Sequence, residues 1–178
     1  MKTRSMKALA LLFLIAGFTL SAQTEKKKDE IIKDADDAKQ EFLKMDYQMK
    51  KHFANSYGYA IFPNVGKGAI GVGGAAGNGV VYEQGEKIGL AKLKQLSIGF
   101  QWGGQAYREI IFFETKADLE RFKKDKVELA AQASAVAVTA GASADAKYQD
   151  GVMIFTMQKG GLMYEASVGG QSFKFKEL

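Results

Sequence analysis

The chain has 178 residues, of which 47% are hydrophobic and 25% charged, and this is the size and composition of one globular domain. It contains no cysteine and a single histidine, so disulfides, thiolate chemistry and metal sites built on several imidazoles are excluded. The net charge of +5 falls to +2 without Lys2, Arg4 and Lys7, which argues against a dedicated nucleic-acid binder. Twenty glycines and a single proline favour a β-rich fold with tight turns.

The first 22 residues have the order of a secretory signal peptide. Basic residues in Met1–Lys7 precede an apolar run over Ala8–Leu20, and the small residues Ser21 and Ala22 follow. The run is shorter than the roughly 20 residues that a membrane-spanning helix needs. We therefore expect residues 1–22 to be cleaved, with an uncleaved anchor as the alternative, and residues 23–178 to form one periplasmic or secreted domain. Because no cysteine follows the run, a lipoprotein is not expected.

Residues 23–55 predict one long amphipathic helix that precedes a β-rich core over residues 56–178. Apolar residues recur along the helix at spacings of three and four, which places them in one stripe. The members of the stripe are Ile31, Ala35, Ala38, Phe42, Met45 and Met49. We expect the stripe to cover the protein's own sheet. The alternatives are docking on a membrane and contact with a protein partner through the larger members, Ile31, Phe42, Met45 and Met49.

After Asn55 the apolar pattern changes to the alternation that is typical of strands. Short strands are predicted at Tyr57–Phe62, Ala69–Gly73, Gly79–Tyr82, Ile88–Trp102 with a break near Lys92–Lys94, Tyr107–Phe113, Val127–Thr139, Gly151–Gln158, Leu162–Val168 and Ser172–Lys176. For Val127–Thr139 a helix is the alternative, because the segment is rich in alanine. Pro63 is expected to end the first strand.

One short helix is predicted over Thr115–Lys124, where Thr115 is a good N-cap and Asp118 closes a capping box. With no alternation of strands and helices, a doubly wound nucleotide-binding fold is disfavoured. The predicted class is α+β: an antiparallel β-sandwich or partial barrel of short Gly-rich strands, with a long N-terminal helix and one short helix.

The sequence offers little for catalysis or cofactor binding. Residues 66–71 have the spacing G-x-G-x-x-G, but residues 71–81 alternate like a strand where a dinucleotide-binding loop needs a helix. A Ser-His-Asp arrangement would have to use His52, which we expect on the helix surface. Asp36 and Asp37 are interpreted as a solvated helix face. No enzyme activity, cofactor or metal is therefore expected, and a hydrolase with two carboxylates that meet only in the fold stays the alternative.

Four blocks of the chain resemble the SYLF (Ysc84-like) domain family of the bacterial exported type. The first block is an apolar strand that ends in Pro63, followed by Lys67-Gly68 and a glycine tract. The blocks lie at residues 58–79, 96–105, 111–122 and 159–171. The stretch Gly89–Lys92 departs from the family, because many members carry a tryptophan with a nearby proline between the first two blocks.

The resemblance implies a non-catalytic lipid-binding domain, with phosphoinositides as the ligands of its eukaryotic members. For an exported bacterial chain we expect ordinary anionic phospholipids instead, and no actin-related role is carried over. The lipid-binding residues expected from the sequence are Lys67 with Gly66 and Gly68 in a Gly-rich turn, and Lys26, Lys27 and Lys28 at the start of the helix. The alternative for Lys67 is a solvated turn lysine. A groove between helix and sheet is expected to hold the acyl chain or head group.

Overall fold

A computed structural model gives the fold of residues 25–67, 74–96, 106–125, 134–159, 166–168 and 170–178. Within these ranges the helices are α1 (25–45), α2 (Met49–Asn55) and α3 (Lys116–Lys123). The strands are β1 (Gly58–Lys67), β2 (Gly74–Glu83), β3 (Glu86–Leu96), β4 (Ala106–Phe113), β5 (Ser134–Ala137), β6 (Val152–Gln158), β7 (Ala166–Ser167) and β8 (Gln171–Glu177). The predicted strand Ala69–Gly73 lies outside the described residues, as do the parts 97–102, 127–133 and 162–165 of other predicted strands.

The strands form one sheet in the order β7-β5-β6-β4-β1-β2-β3-β8. Neighbouring strands are antiparallel except β5 and β6, which run parallel, so the sheet is mixed rather than wholly antiparallel as predicted. Strands β1, β2 and β3 follow one another in the chain and pair in that order as antiparallel neighbours. The last strand, β8, pairs with β3. The predicted α+β class is confirmed.

The sheet is strongly curled. In a flat sheet β4 and β8 would lie four strand spacings apart, about 19 Å. Yet the Nε2 atom of Gln171 in β8 lies 2.8 Å from the Oε2 atom of Glu109 in β4. The sheet is open and not closed, and of the two predicted arrangements the partial barrel is the nearer one.

Each face of the sheet buries its own apolar cluster. On the convex face, helices α1 and α2 cover the side chains of Tyr59, Ile61, Val80, Ile110, Phe112 and Phe155. On the concave face, α3 packs with side chains that include Phe62, Ile111, Phe113 and Phe173. Both faces are buried because the curl brings β8 over the concave side and the helices lie across the other.

The apolar stripe of the N-terminal helix covers the protein's own sheet. Phe42 and Met49 are fully buried, and Ala35 and Ala38 are no more than 1% exposed. Met45 is wrongly assigned to the stripe, because it is 47% exposed. The predicted protein contact through Phe42 and Met49 is therefore wrong, since these side chains are unavailable to a partner.

The predicted single helix over 23–55 is divided at Asp46. The Oδ1 atom of Asp46 accepts a hydrogen bond from the Gln48 backbone N–H at 3.0 Å, and Oδ2 accepts one from the Ser143 N–H at 2.8 Å. A side-chain acceptor that serves nearby backbone donors competes with helical hydrogen bonds. The chain consequently turns at Asp46 and begins α2 at Met49.

Pro63 does not end the first strand. β1 continues to Lys67, and its register shifts against both neighbours between residues 61 and 65. Proline is tolerated inside a sheet at such a bulge, because the ladder is already interrupted where its missing N–H would be needed. Gly79 of β2 faces the bulge, and a Cβ there would lie 2.5 Å from the Ile61 carbonyl oxygen.

The predicted break near Lys92–Lys94 is also wrong, since β3 runs without interruption from Glu86 to Leu96. The short helix is confirmed: the Thr115 side chain accepts from the Asp118 N–H, and the Asp118 carboxylate accepts from the Thr115 N–H at 3.0 Å. Arg121 Nη2 donates to the same carboxylate at 2.7 Å.

Candidate functional site

The residues expected to bind lipid lie at two places. Gly66 and Lys67 form the last positions of β1, where Lys67 is opposite Ala75 of β2. The described part of this motif is therefore strand rather than turn, and Gly68 lies outside the described residues. A Cβ added to Gly66 would meet no atom within 4 Å, so close packing does not require a glycine there.

Lys26, Lys27 and Lys28 lie in the first turn of α1, and the Nζ atom of Lys28 is 3.9 Å from the Glu25 carboxylate. The contacts of α1 show its direction across the sheet. Asp46 binds Ser143 beyond β5, Glu41 binds Arg108 in β4, and Asp36 binds Lys87 in β3. The N-terminal end of α1 therefore points toward β8.

Four lysines lie on the convex side of β3 and β8, beyond the part of the sheet that α1 covers. All four are exposed, and together they form the basic strip: Lys92, Lys94, Lys174 and Lys176. Lys92 stands directly opposite Lys174 in the β3–β8 register. The Cβ atoms of such a pair are about 5 Å apart, and like charges in this position destabilise a sheet.

No carboxylate neighbours the basic strip in the register of the described strands. Lys92 lies between Asn78 and Lys174, and Lys94 lies between Ala76 and Ser172. Lysines on an edge strand discourage pairing with other chains, which would account for the two on β8. It does not account for Lys92 and Lys94, because β3 is paired on both sides.

The cations beneath α1 are treated differently. Arg108 Nη2 is 2.6 Å from Glu41, and Lys87 Nζ is 2.8 Å from Asp36. Lys39 donates to the Tyr59 hydroxyl at 2.7 Å and lies 4.7 Å from the centroid of the Phe53 ring. Helix α1 thus provides a carboxylate to each of these two sheet cations, and its own Lys39 is held against aromatic rings.

A groove of about 150 Å³ lies between α1 and the sheet, as expected. Its lining is mostly polar and consists of Asp34, Asp37, Ala38, Glu41, Pro63, Asn64, Arg108 and Lys159. An apolar chain would leave these charged groups without solvent or partners, which is costly. The expectation that this groove holds an acyl chain is therefore wrong.

The concave side contains a buried polar cluster that sequence reasoning missed. Gln171 Nε2 donates to Glu109 Oε2 at 2.8 Å and to the Tyr107 hydroxyl at 3.3 Å, and Tyr107 donates to Gln95 at 3.2 Å. Burial raises the pKa of Glu109 to about 8, and the hydrogen bond from Gln171 opposes this only in part. Glu109 is therefore mainly neutral at pH 7, and the cluster ties β8 to β4 across the concave side.

The remaining predicted groups show no catalytic arrangement in the described ranges. His52 is half-buried rather than on the surface: its Nε2 atom is 2.8 Å from the Ser143 carbonyl oxygen, and its ring packs 5.4 Å from that of Phe155. Where the structure describes the chain, acidic and histidine side chains nowhere gather in threes around a possible metal position. None of the helices described is long and apolar enough to cross a membrane.

Fold and surface together define a class: an α+β domain that carries, within the described ranges, a row of exposed lysines that make no ion pair. Residues 94–177 match the sequence profile of the family described as "Ysc84: Las17-binding protein actin regulator". The resemblance to the Ysc84 (SYLF) family is therefore confirmed over these residues. The match includes the last three of the four blocks and leaves out the first, at 58–79.

A curated relative is Beta cell expansion factor A of Aeromonas veronii, which is 29% identical over 122 residues. The alignment covers 68% of this chain and 46% of the relative, so the chain spans about half the length of that protein. The Ysc84 (SYLF) family is one of binding domains and not of enzymes.

Proposed function

We propose that this protein is a non-enzymatic, peripheral lipid-binding protein of the bacterial periplasm that recognises anionic phospholipid through the basic strip. The observation that carries the proposal is the strip itself, in which exposed like charges face each other across two strands. Protection of the sheet edge accounts for the lysines on β8 but not for Lys92 and Lys94, so a negatively charged partner is the explanation that covers the whole strip. The match of residues 94–177 to a family of binding domains supports a binding role.

A lipid surface fits the strip better than a small anion does. The lysines lie on two adjacent strands and point to the same side, so they present a row of charges rather than a closed cavity. Each lysine near an anionic membrane surface contributes about 1 kcal/mol, and the attraction falls off within a Debye length. Without residues 1–22, which we expect to be cleaved, the net charge is near +2, so under the proposal the attraction comes from local placement and not from the whole molecule.

The residues expected from sequence extend the proposed surface. The first turn of α1, which points toward β8, contains Lys26, Lys27 and Lys28. Helix α1 lies on the same side of the sheet as the basic strip. Lys67 of β1 is opposite Ala75 of β2, and Ala75 is opposite Gln95 of β3. The backbones of Lys67 and Gln95 are therefore two strand spacings apart, about 10 Å, and Gln95 is next to Lys94 in sequence. We include both groups as secondary contributors.

The test is sedimentation of the purified protein with vesicles of phosphatidylcholine, with and without phosphatidylglycerol, across a salt series. The test variant replaces Lys92, Lys94 and Lys174 with Gln. The matched control replaces Lys116, Lys124 and Lys147 with Gln, which removes the same charge from exposed sites elsewhere.

We expect the strip variant to bind anionic vesicles roughly a hundredfold more weakly, and the control to bind nearly as the unmodified protein does. Binding of the unmodified protein should require phosphatidylglycerol and should weaken as salt is added. Equal loss in both variants would assign the effect to net charge, and binding that ignores phosphatidylglycerol would refute the proposal.

A further inference from the structure

We propose that the corner between α1 and α2, residues 44–51, inserts Met45 and Tyr47 into the interfacial layer of an anionic lipid surface; this rests on the proposed function and names a second contact for it. Met45 is 47% exposed and Tyr47 is 73% exposed. Among the large hydrophobic side chains that the structure describes, Leu178 is the one other that is exposed. Two of three such side chains therefore lie two residues apart at one corner.

The corner holds these side chains outward on a fixed support. Phe42 before it and Met49 after it are fully buried against the sheet. Between them, the Asp46 carboxylate accepts the backbone N–H groups of Gln48 and Ser143. Although burial opposes it, this hydrogen bonding lowers the pKa of Asp46, so the carboxylate stays ionised and the turn stays closed near neutral pH. Tyr47 and Met45 are thus displayed by a braced turn.

Charge around the corner complements an anionic surface. Lys44, Lys50 and Lys51 are exposed and make no ion pair within the described ranges, and the Nζ atom of Lys50 lies 5.6 Å from the centroid of the Tyr47 ring. Of the nearby acids, Asp46 is buried in its hydrogen bonds and Glu41 is paired with Arg108. Asp145, in the turn after Ser143, is the exposed acid closest in sequence to these contacts. The corner therefore carries a net positive charge.

The combination matches the chemistry of a membrane interface. A tyrosine has an apolar ring and a polar end, so it is favoured where one side is apolar and the other wet. Lysines extend their charged ends toward head groups while their methylenes stay against apolar surface. A stable protein partner would need about 800 Å² of complementary surface on this side, and two exposed hydrophobic side chains are far short of that.

The corner and the basic strip are independent features. They lie toward opposite ends of α1, which over the 20 residues from Lys26 to Asp46 is about 30 Å long. Changes at one place leave the other intact. The strip supplies attraction that salt weakens, and the corner supplies apolar contact that salt does not screen.

The absence of cysteine from the sequence permits a direct test of insertion. A nitroxide is attached to Tyr47→Cys and, as the control, to Lys116→Cys, which is exposed on α3 on the other side of the sheet. Oxygen accessibility is then measured with phosphatidylcholine vesicles that contain or lack phosphatidylglycerol. We expect the label at position 47 to become markedly more accessible to oxygen on anionic vesicles, while the label at position 116 stays in water.

A second measurement removes the apolar contact without touching the core. Met45→Ser with Tyr47→Ser should reduce binding to anionic vesicles about tenfold at high salt, while the thermal unfolding midpoint is unchanged because both side chains are exposed. A label at position 47 that stays in water while the protein sediments with vesicles would overturn the insertion and leave the proposed function standing. Failure of the unmodified protein to bind any of these vesicles would overturn both.

Discussion

The convex face of the sheet has two parts that handle positive charge in opposite ways. Under α1, Arg108 is paired with Glu41 and Lys87 with Asp36. Beyond the helix, on the same face, the lysines of the basic strip are opposite one another or opposite neutral residues. The difference separates charge that the fold itself compensates from charge that, under the proposed function, faces a partner.

On the concave side an ionisable group is handled in a third way: Glu109 is buried and mainly neutral, with a hydrogen bond from Gln171 and no ion pair within the described ranges. A buried ionised carboxylate without a cation would be far more costly than a neutral one. Charge inside the molecule is thus neutralised, paired or hydrogen-bonded, whereas the lysines of the strip have no such partner in the register of the described strands. This contrast supports the proposed role of the strip in binding rather than in stability.

The largest expected effect on stability comes from removing the side chain that anchors α1 on the convex face of the sheet. Phe42→Ala should lower the free energy of unfolding by about 3–5 kcal/mol, because it leaves a cavity where a fully buried ring joins α1 to the sheet. Urea denaturation measures the loss. As a control, Tyr47→Ala changes an exposed aromatic residue a few positions away and should cost much less. Equal losses would mean that α1 is not anchored through Phe42.

Next in size is the pH dependence that Glu109 brings to the interior. Burial raises its pKa from the ordinary value of 4.5 to about 8, so the folded protein keeps a proton that the unfolded chain releases between these values. The contribution of Glu109 to the free energy of unfolding is therefore fully present below pH 4.5. It is lost between pH 4.5 and about pH 8, at about 1.4 kcal/mol per pH unit.

Glu109→Gln retains a neutral polar side chain of nearly the same shape, so the variant should lose that slope. Its free energy of unfolding relative to the unmodified protein should be more favourable near pH 8 than near pH 5. Urea denaturation at both pH values tests this. Parallel curves for the two proteins across the window would show that Glu109 is not the group responsible.

The smallest expected effect on stability comes from giving a lysine of the basic strip an oppositely charged partner. This change also tests the comparison between the two parts of the convex face most directly. Lys174→Glu places a carboxylate opposite Lys92, and the new cross-strand pair should stabilise the fold by about 0.2–1 kcal/mol. The same change should weaken sedimentation with phosphatidylglycerol vesicles. Lys174→Gln serves as the control, because it removes the charge without providing a partner. A loss of stability in Lys174→Glu would contradict the contrast drawn here.

Much of the fold follows from local pattern. Apolar residues that recur every three or four positions predict α1 and its buried stripe. The pair Thr115 and Asp118 predicts the start of α3. The division at Asp46 could not be predicted in this way, because it depends on a hydrogen bond from Ser143, 97 residues away. Pro63 was misleading for a similar reason: its effect depends on a bulge shared with both neighbouring strands.

The candidate site was less accessible to sequence analysis. Lys92–Lys94 were interpreted as a break, although alternating lysines are what one exposed side of a strand shows. Even with β3 placed correctly, nothing local says that β8 pairs with it and brings Lys174 opposite Lys92. The prediction of a signal peptide at 1–22, of one domain over 23–178, and of periplasmic localisation stays a prediction.

The pairing of β3 with β8 also has a consequence for the order of folding. Lys92 and Lys174 are about 80 residues apart along the chain, and β8 is the last of the described strands. Contacts between such distant segments form late, because the entropy of closing the intervening loop is lost before they stabilise the fold. A partly folded molecule therefore holds two separate pairs of lysines, and the full row arises only when β8 has docked. Affinity for anionic surfaces would then develop together with the completed fold.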